Sequence, residues 1–545
     1  MSTSNRSMVL KLEKVLRVAL PVILAAFILF NGVSFLIAGE ERLINIFDDD
    51  AYYYFTIARN LVQEGRLTFD GATITNGFQP LWFGLLLPIF GVIKDPLVAL
   101  RVVGILNTLL AGLAGYLGWL TLRKYSLIPF TFGMVLMQFC LVSFGITGME
   151  TGILILLFMV CLRLIKKLAP WDSAVPSFRI ASTLSVCLGL LLLARLDSIW
   201  FILVFLGSLL YFYRLKRIKT LINISAGPFL TLIAYIAANQ VFFGNWMPAS
   251  GSAKSLSSHF LEFNHLFWGQ WFRTGDPASG NLWQVFGASF IFAVGFLIYI
   301  SIQFFHRKHE RITAEIHELF LPVCITLSLV FFTLYSLFGS SWILWRWYGY
   351  LLFPMAVFVF PFVVEKIIYK LNAFMLFKRF LVGMGIFLAL LACFPLIQTT
   401  INRGLWSYTL PPAFRYENFQ AAHFLNDSLP QNSVVALGDR AGSFAYFFQG
   451  RVLQLEGLVG DEALLTAIQK DTLPRYMTGF GVDYALSYWD PPSGYDRWTL
   501  LTPLPGFSIG PQAGIELCKD QEVLRYVTPY QTLYLWKWPG CLDNQ

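Results

Sequence analysis

Long apolar runs broken by short charged stretches fill roughly the first three quarters of the chain. Crossing a bilayer as a helix takes about 20 mostly apolar residues. Runs of that kind occur at 17–38, 98–122, 127–146, 150–165, 179–195, 197–213, 220–243, 283–305, 317–338, 347–369 and 380–398. The pattern predicts a polytopic α-helical membrane protein with about eleven transmembrane helices. The first apolar stretch, Val15 to Ile37, is too long for a signal-peptide core and has no small-residue cleavage site, so it is expected to remain as a spanning helix.

Basic residues recur in every second connection. Arg6, Lys11, Lys14 and Arg17 at the N-terminus share a predicted side with Arg123/Lys124, Arg163/Lys166/Lys167, Arg214/Lys216/Arg217/Lys219, Arg307/Lys308/Arg311 and Lys366/Lys370/Lys378/Arg379. Cytoplasmic loops are the ones enriched in Lys and Arg. The N-terminus is therefore expected in the cytoplasm, with a bacterial plasma membrane as the expected location; an endoplasmic-reticulum membrane with the C-terminal domain in the lumen would obey the same charge rule.

The opposite connections are longer. Residues 39–97 carry an acidic cluster and the short apolar segment Leu81 to Ile93, which suits the interface better than a crossing. Residues 244–282 form a second long external loop. Two domains follow: 1–398 in the membrane and 399–545 outside it as a soluble α/β domain. Within the latter, Tyr416–Asn426 and Asp461–Lys470 read as helices, and Ser433–Leu437, Arg451–Leu455 and Val482–Tyr488 as strands.

Composition agrees with this division. Hydrophobic residues make up 56% of the chain and charged ones 13%, with a mean hydropathy of +0.61. The net charge of +8 belongs to the basic loop blocks, so no nucleic-acid partner is expected. Of seven cysteines, Cys140, Cys161, Cys187, Cys324 and Cys393 lie in apolar runs without metal-ligand spacing. Cys518 and Cys541 fall in the external domain, where either a disulfide or two free thiols would fit. The stretch Gly438-Asp439-Arg440-Ala441-Gly442 lacks the spacing of a dinucleotide fingerprint.

Candidate chemistry collects on the external side. Asp48, Asp49 and Asp50 open an aromatic helix, AYYYFTIARNL. One such acid is ordinary as a cap, but three adjacent like charges repel one another, and a carboxylate among aromatics can serve as a base. Gln79, Glu150, the Arg195-Asp197 turn, Lys254 and Arg346 stand at helix ends on the same side. Arg195 and Asp197 could pair with each other, Arg346 could anchor an aromatic belt, and Lys254 could be solvated. Together they suit an anionic, lipid-linked substrate whose phosphate meets Arg or Lys while a carboxylate accepts a proton.

An acidic pair followed by Ala and aromatics, an ARN helix, the TNGFQPLW segment, GMET and the ARLD turn resemble integral-membrane glycosyltransferases of the GT-C fold. Relatives of this kind include bacterial arabinosyl- and aminoarabinosyl-transferases and protein O-mannosyltransferases. The resemblance implies inverting transfer of a sugar from a polyprenyl-phosphate donor to a glycan, lipid or protein acceptor at the external face. It maps the acidic pair onto Asp49 and Asp50, with Asp49 the leading base, and a second acidic position onto Glu150. Related sequences often carry His where Gln79 stands, and Gln79 cannot titrate, though it can hydrogen-bond a sugar or phosphate. Arg195, Lys254 and Arg346 are candidate phosphate contacts by chemistry and side. No cofactor is required, although Asp49, Asp50 and Glu150 offer oxygen ligands compatible with a divalent cation. A lipid or polysaccharide transporter and a non-catalytic sugar-binding scaffold are the alternatives. The first would place its charges at mid-membrane rather than at helix ends.

Overall fold

A computed structural model of the chain describes residues 3–170, 177–213, 217–256, 261–273, 282–306, 309–371, 414–539 and 541. Among the described residues seven helices are long and apolar enough to cross a membrane: Glu13–Ile37, Pro96–Leu122, Leu127–Gly145, Ile218–Phe243, Leu282–Gln303, Glu318–Phe338 and Arg346–Ile368. They make this a multi-pass membrane protein. Three further apolar runs form shorter helices, Thr151–Leu168, Phe178–Ala194 and Ile199–Tyr213. The first of these carries Arg163, Lys166 and Lys167 in its second half, which shortens its apolar length. The eleventh run, 380–398, lies outside the described residues.

The helices differ in what surrounds them. Glu13–Ile37 and Ile218–Phe243 leave most of their apolar surface uncovered, whereas Leu127–Gly145, Glu318–Phe338 and Arg346–Ile368 are largely enclosed by protein. In lipid there is little hydrophobic drive between helices, so close backbone approach between small residues has to hold them. Phe178–Ala194 and Ile218–Phe243 meet in this way. The Ser185 hydroxyl accepts from the Gly227 amide at 2.7 Å, and a Cβ on Gly227 would come within 2.0 Å of the Ser185 carbonyl.

Polar contacts mark the two ends of the bundle. At one end Arg17 donates to the carbonyls of Arg123 and Tyr125, Ser126 donates to Glu365, and Lys366 pairs with Glu318. The other end holds the segment 38–95, with helices Glu40–Ile46, Asp49–Glu64 and Pro80–Val92. The last covers the short apolar segment, and Pro80 at its first position suits a helix start.

The C-terminal domain packs on this second end. Its five-stranded sheet runs β2 (Arg451–Gln454), β1 (Val434–Leu437), β3 (Tyr484–Ser487), β7 (Thr532–Lys537), β6 (Glu522–Val527). β1 is parallel to β2 and β3, and β7 is antiparallel to β3 and β6. A separate antiparallel pair joins β4 (Arg497–Thr502) to β5 (Ala513–Cys518). The helices Phe414–Ser428 and Glu462–Gln469 fall on the two helical stretches read from the sequence. The four later strands lie beyond the stretches read from the sequence, although β7 carries a buried apolar run at 533–536. β6 alternates half-buried and exposed residues, so it has no continuous apolar run. Cys518 and Cys541 are joined in a disulfide.

Candidate functional site

Three neighbouring carboxylates at the start of Asp49–Glu64 take three separate directions. Asp48 occupies the N-cap position but makes no side-chain cap bond. Its buried carboxylate instead receives a two-pronged contact from Arg346, through Nε at 3.1 Å and through Nη2, with Arg415 Nη2 at 3.6 Å. Arg346 is thus committed to an internal ion pair rather than to the pocket.

Asp49 turns toward the C-terminal domain. Its two carboxylate oxygens accept from the amides of Gly442 and Ser443, each at 2.9 Å, and from the Ser443 hydroxyl. These donors open the helix Ala441–Phe447, where unpaired amides welcome an anion. The fit depends on Gly442, because a Cβ there would stand 2.2 Å from the Asp49 carbonyl. Asp49, the leading base by resemblance, is therefore outside the pocket lining.

Asp50 lines a pocket of roughly 430 Å³ together with Gln79, Glu150, Arg195, Lys254 and Tyr348. Among the described residues no hydrogen-bonding side chain is assigned to it. Burial pushes its carboxyl up to about 7; Lys254 works against that rise, and Asp49, Asp48 and Glu150 add to it. Lys254 donates to the Tyr348 hydroxyl at 2.9 Å. Burial alone would lower its ammonium pKa, but Tyr348 and Asp50 outweigh burial and the net direction is upward. The ammonium stays charged opposite a carboxyl poised near neutrality.

The far wall is a fixed charge network. Glu150 binds Arg195 through one oxygen and accepts from the Tyr54 hydroxyl at 3.1 Å through the other. Arg195 Nε also reaches both Asp197 oxygens at 2.9 Å. Its guanidinium lies 4.0 Å above the Tyr348 ring, an arrangement that orients the cation and partly offsets lost hydration. Asp197 supports Arg195 from behind and does not line the pocket. The sharp turn before Glu150 uses Gly148 at φ +83° and follows the π-helical turn Leu141–Gly145. Gln79 presents a buried Oε1 without a hydrogen-bond partner among the described residues, while the Tyr54 hydroxyl accepts from its backbone N–H at 3.3 Å.

Five of the eight residues singled out in the sequence, Asp50, Gln79, Glu150, Arg195 and Lys254, meet at this pocket. The C-terminal domain adds groups that sequence reasoning missed. Leu458 and Val459 line the pocket, and Glu456 and Asp439 stand near Asp49 and Asp50. Burial raises both carboxyls, Asp439 to about 6 and Glu456 well above the carboxylate range; each is also raised by Asp49, and Glu456 by Asp439 and Asp50 as well. Their only sequence signal was a carboxylate just beyond each of two predicted strands. Among the described residues no group of three or more His, Cys, Asp or Glu side chains is arranged to hold a metal ion.

The C-terminal region has one recognisable likeness. A family model described as a domain of unknown function (DUF8728) matches residues 410–530. This range takes in the six strands β1 to β6, the helix Phe414–Ser428 before them and the helices between them, but none of the spanning helices. No curated protein matches the chain.

Proposed function

We propose that this protein is a GT-C-type membrane glycosyltransferase. It transfers a sugar from a polyprenyl-phosphate donor to an acceptor hydroxyl, on the side of the membrane that carries the C-terminal domain. The observation supporting this reading is the pocket at the helix ends that holds Asp50, with its carboxyl near 7, together with the half-buried ammonium of Lys254.

The reaction is a single displacement. Asp50 accepts the proton of the acceptor hydroxyl as its oxygen attacks the anomeric carbon, and the bond from that carbon to the lipid phosphate oxygen breaks. The leaving phosphate is already an anion, so it needs no proton, only fixed positive charge to stabilise it. Lys254 supplies that charge directly, and Arg195 supports it from the position imposed by Glu150 and Asp197. Gln79 offers its unpartnered oxygen to a sugar hydroxyl. In this scheme Asp50 takes the role of base, and Asp49 sets the orientation of the turn that carries it. A divalent cation has no assigned step. The loop charges support a cytoplasmic N-terminus and an external pocket, an arrangement that suits a bacterial plasma membrane.

The test is transfer from a panel of radiolabelled polyprenyl-phosphate sugars, with membrane extract as acceptor. Asp50→Asn should lower the wild-type rate by roughly 100-fold or more, the usual contribution of a positioned base. Activity retained in that variant, or no transfer from any donor, would overturn the reading.

A further inference from the structure

Parallel strands in an open α/β sheet leave their carboxyl ends as the natural place for a ligand. In the C-terminal domain those ends point toward the pocket. β1 and β2 are in register from Val434↔Arg451 to Leu437↔Gln454, and the Leu455 amide continues the ladder to the Leu437 carbonyl. Asp439 and Glu456 therefore stand at equivalent positions, two residues beyond the last pair. β3 pairs Leu486 with Leu437, which puts Tyr488 level with Asp439. The helix after β1 would ordinarily offer its amides to an anion, but Asp49 already fills that position.

Two side chains at this edge each present a polar atom with no hydrogen-bond partner among the described residues. Glu456 is 4% exposed and Tyr488 7%, and both Glu456 Oε1 and the Tyr488 hydroxyl are buried without a hydrogen-bond partner. Glu456 is held firmly in place. The Gln454 side chain donates to Glu456 Oε2 at 3.2 Å, and its carbonyl accepts from the amides of Glu456 and Leu458. That turn leads into Leu458 and Val459, which line the pocket. It closes on Gly77 so tightly that a Cβ there would meet the Leu458 carbonyl at 2.4 Å. Trp489, next to Tyr488 and 40% exposed, offers an aromatic face.

We propose that this strand edge is the acceptor subsite, where Glu456 and Tyr488 hydrogen-bond the hydroxyls of a neutral glycan acceptor. The inference rests on the glycosyltransferase reading and narrows its acceptor class. Charge divides the site. Lys254 and Arg195 offer the phosphate a home in the pocket on the helix side, whereas at the strand edge the guanidinium of Arg440 is paired with Asp439 at 3.3 Å and lies by the Trp489 ring, with Asp49 nearby to repel a phosphate. Glu456 Oε1 and the Tyr488 hydroxyl each present an unpartnered polar atom, and a sugar hydroxyl, donor and acceptor at once, complements each.

The experiment is titration calorimetry of the full-length protein in detergent, using a panel of neutral oligosaccharides at millimolar concentration and, separately, a polyprenyl phosphate. At least one oligosaccharide should bind. Tyr488→Phe and Glu456→Ala should each weaken it roughly tenfold, the loss of one ordinary hydrogen bond. Glu456→Gln, which keeps a donor and an acceptor, should bind as the wild type does. Lys254→Ala should lose the polyprenyl phosphate and keep the oligosaccharide. If Glu456→Ala does not fold, Tyr488→Phe carries the test alone. No oligosaccharide binding, or affinity unchanged in Tyr488→Phe, overturns the subsite. Binding that depends on Tyr488 in a protein that transfers no sugar would leave the subsite standing and remove the glycosyltransferase reading.

Discussion

Successive residues in a helix leave its axis about 100° apart, so Asp48, Asp49 and Asp50 cannot share one environment. Asp48 meets Arg346, Asp49 meets the C-terminal domain, and Asp50 is left with the pocket. Removing one member of a buried ion pair strands the other charge, at about 3–5 kcal/mol in typical cases. Arg346→Ala should therefore lower the melting temperature in detergent strongly, and adding Asp48→Asn should recover much of the loss. A melt unchanged by Arg346→Ala would show that the pair contributes nothing. Asp50 predicts a pH effect in the other direction. Its carboxyl is raised from 3.8 to about 7 in the folded protein, so between those values the unfolded chain releases its proton first. The stability this group contributes is complete below about pH 4 and is lost as pH rises through about 7. Asp50→Asn should raise the melting temperature more at about pH 8 than at about pH 5. The same ionisation should make the transfer rate climb with pH through about 7 in the wild type.

Among the elements, the seven-residue helix Ala441–Phe447 joins the C-terminal domain to the start of Asp49–Glu64. Gly442→Ala would drive a methyl group into the Asp49 backbone, and Ser443→Ala would remove one of three donors. Gly442→Ala should loosen the contact more than Ser443→Ala, read as faster limited proteolysis between the membrane helices and the C-terminal domain. Equal protection in both variants and the wild type would mean that the contact is not a hold. Helices were the elements most legible in the sequence, because a spanning helix must satisfy its backbone internally and hide it behind apolar side chains. The early strands showed as compact apolar runs, SVVAL and RVLQL. β6 did not, since an edge strand with one open face mixes polar and apolar residues, whereas the interior strand β7 carries a buried apolar run at 533–536.

For the whole molecule, the bundle has two unlike ends. Arg17, Arg123 and Lys366 gather at one, and the pocket with the C-terminal domain at the other. Single cysteines at Lys124 and Lys470, introduced with the native thiols blocked or replaced, should label from opposite faces of sealed inverted vesicles with a membrane-impermeant maleimide. Labelling of both from one face would overturn the topology. The Cys518–Cys541 disulfide agrees with a C-terminal domain in an oxidising compartment.

Apolar length and loop charge depend on composition along short stretches, and lipid enforces them locally, so a multi-pass chain with a polar C-terminal domain could be read from residue order. The same holds for the side on which Asp50, Glu150, Arg195 and Lys254 would collect. Which acid occupies the pocket could not be read that way, because Asp49 and Asp50 differ only by one step around a helix. Their separation depends on Gly442 and Ser443, 393 and 394 residues further on, and Arg346 is withdrawn by Asp48 across 298 residues. Glu456 and Tyr488 enter the neighbourhood only when parallel strands align their ends. Long-range packing assigns such roles, since burial and charge partners are properties of the folded surroundings rather than of the residue.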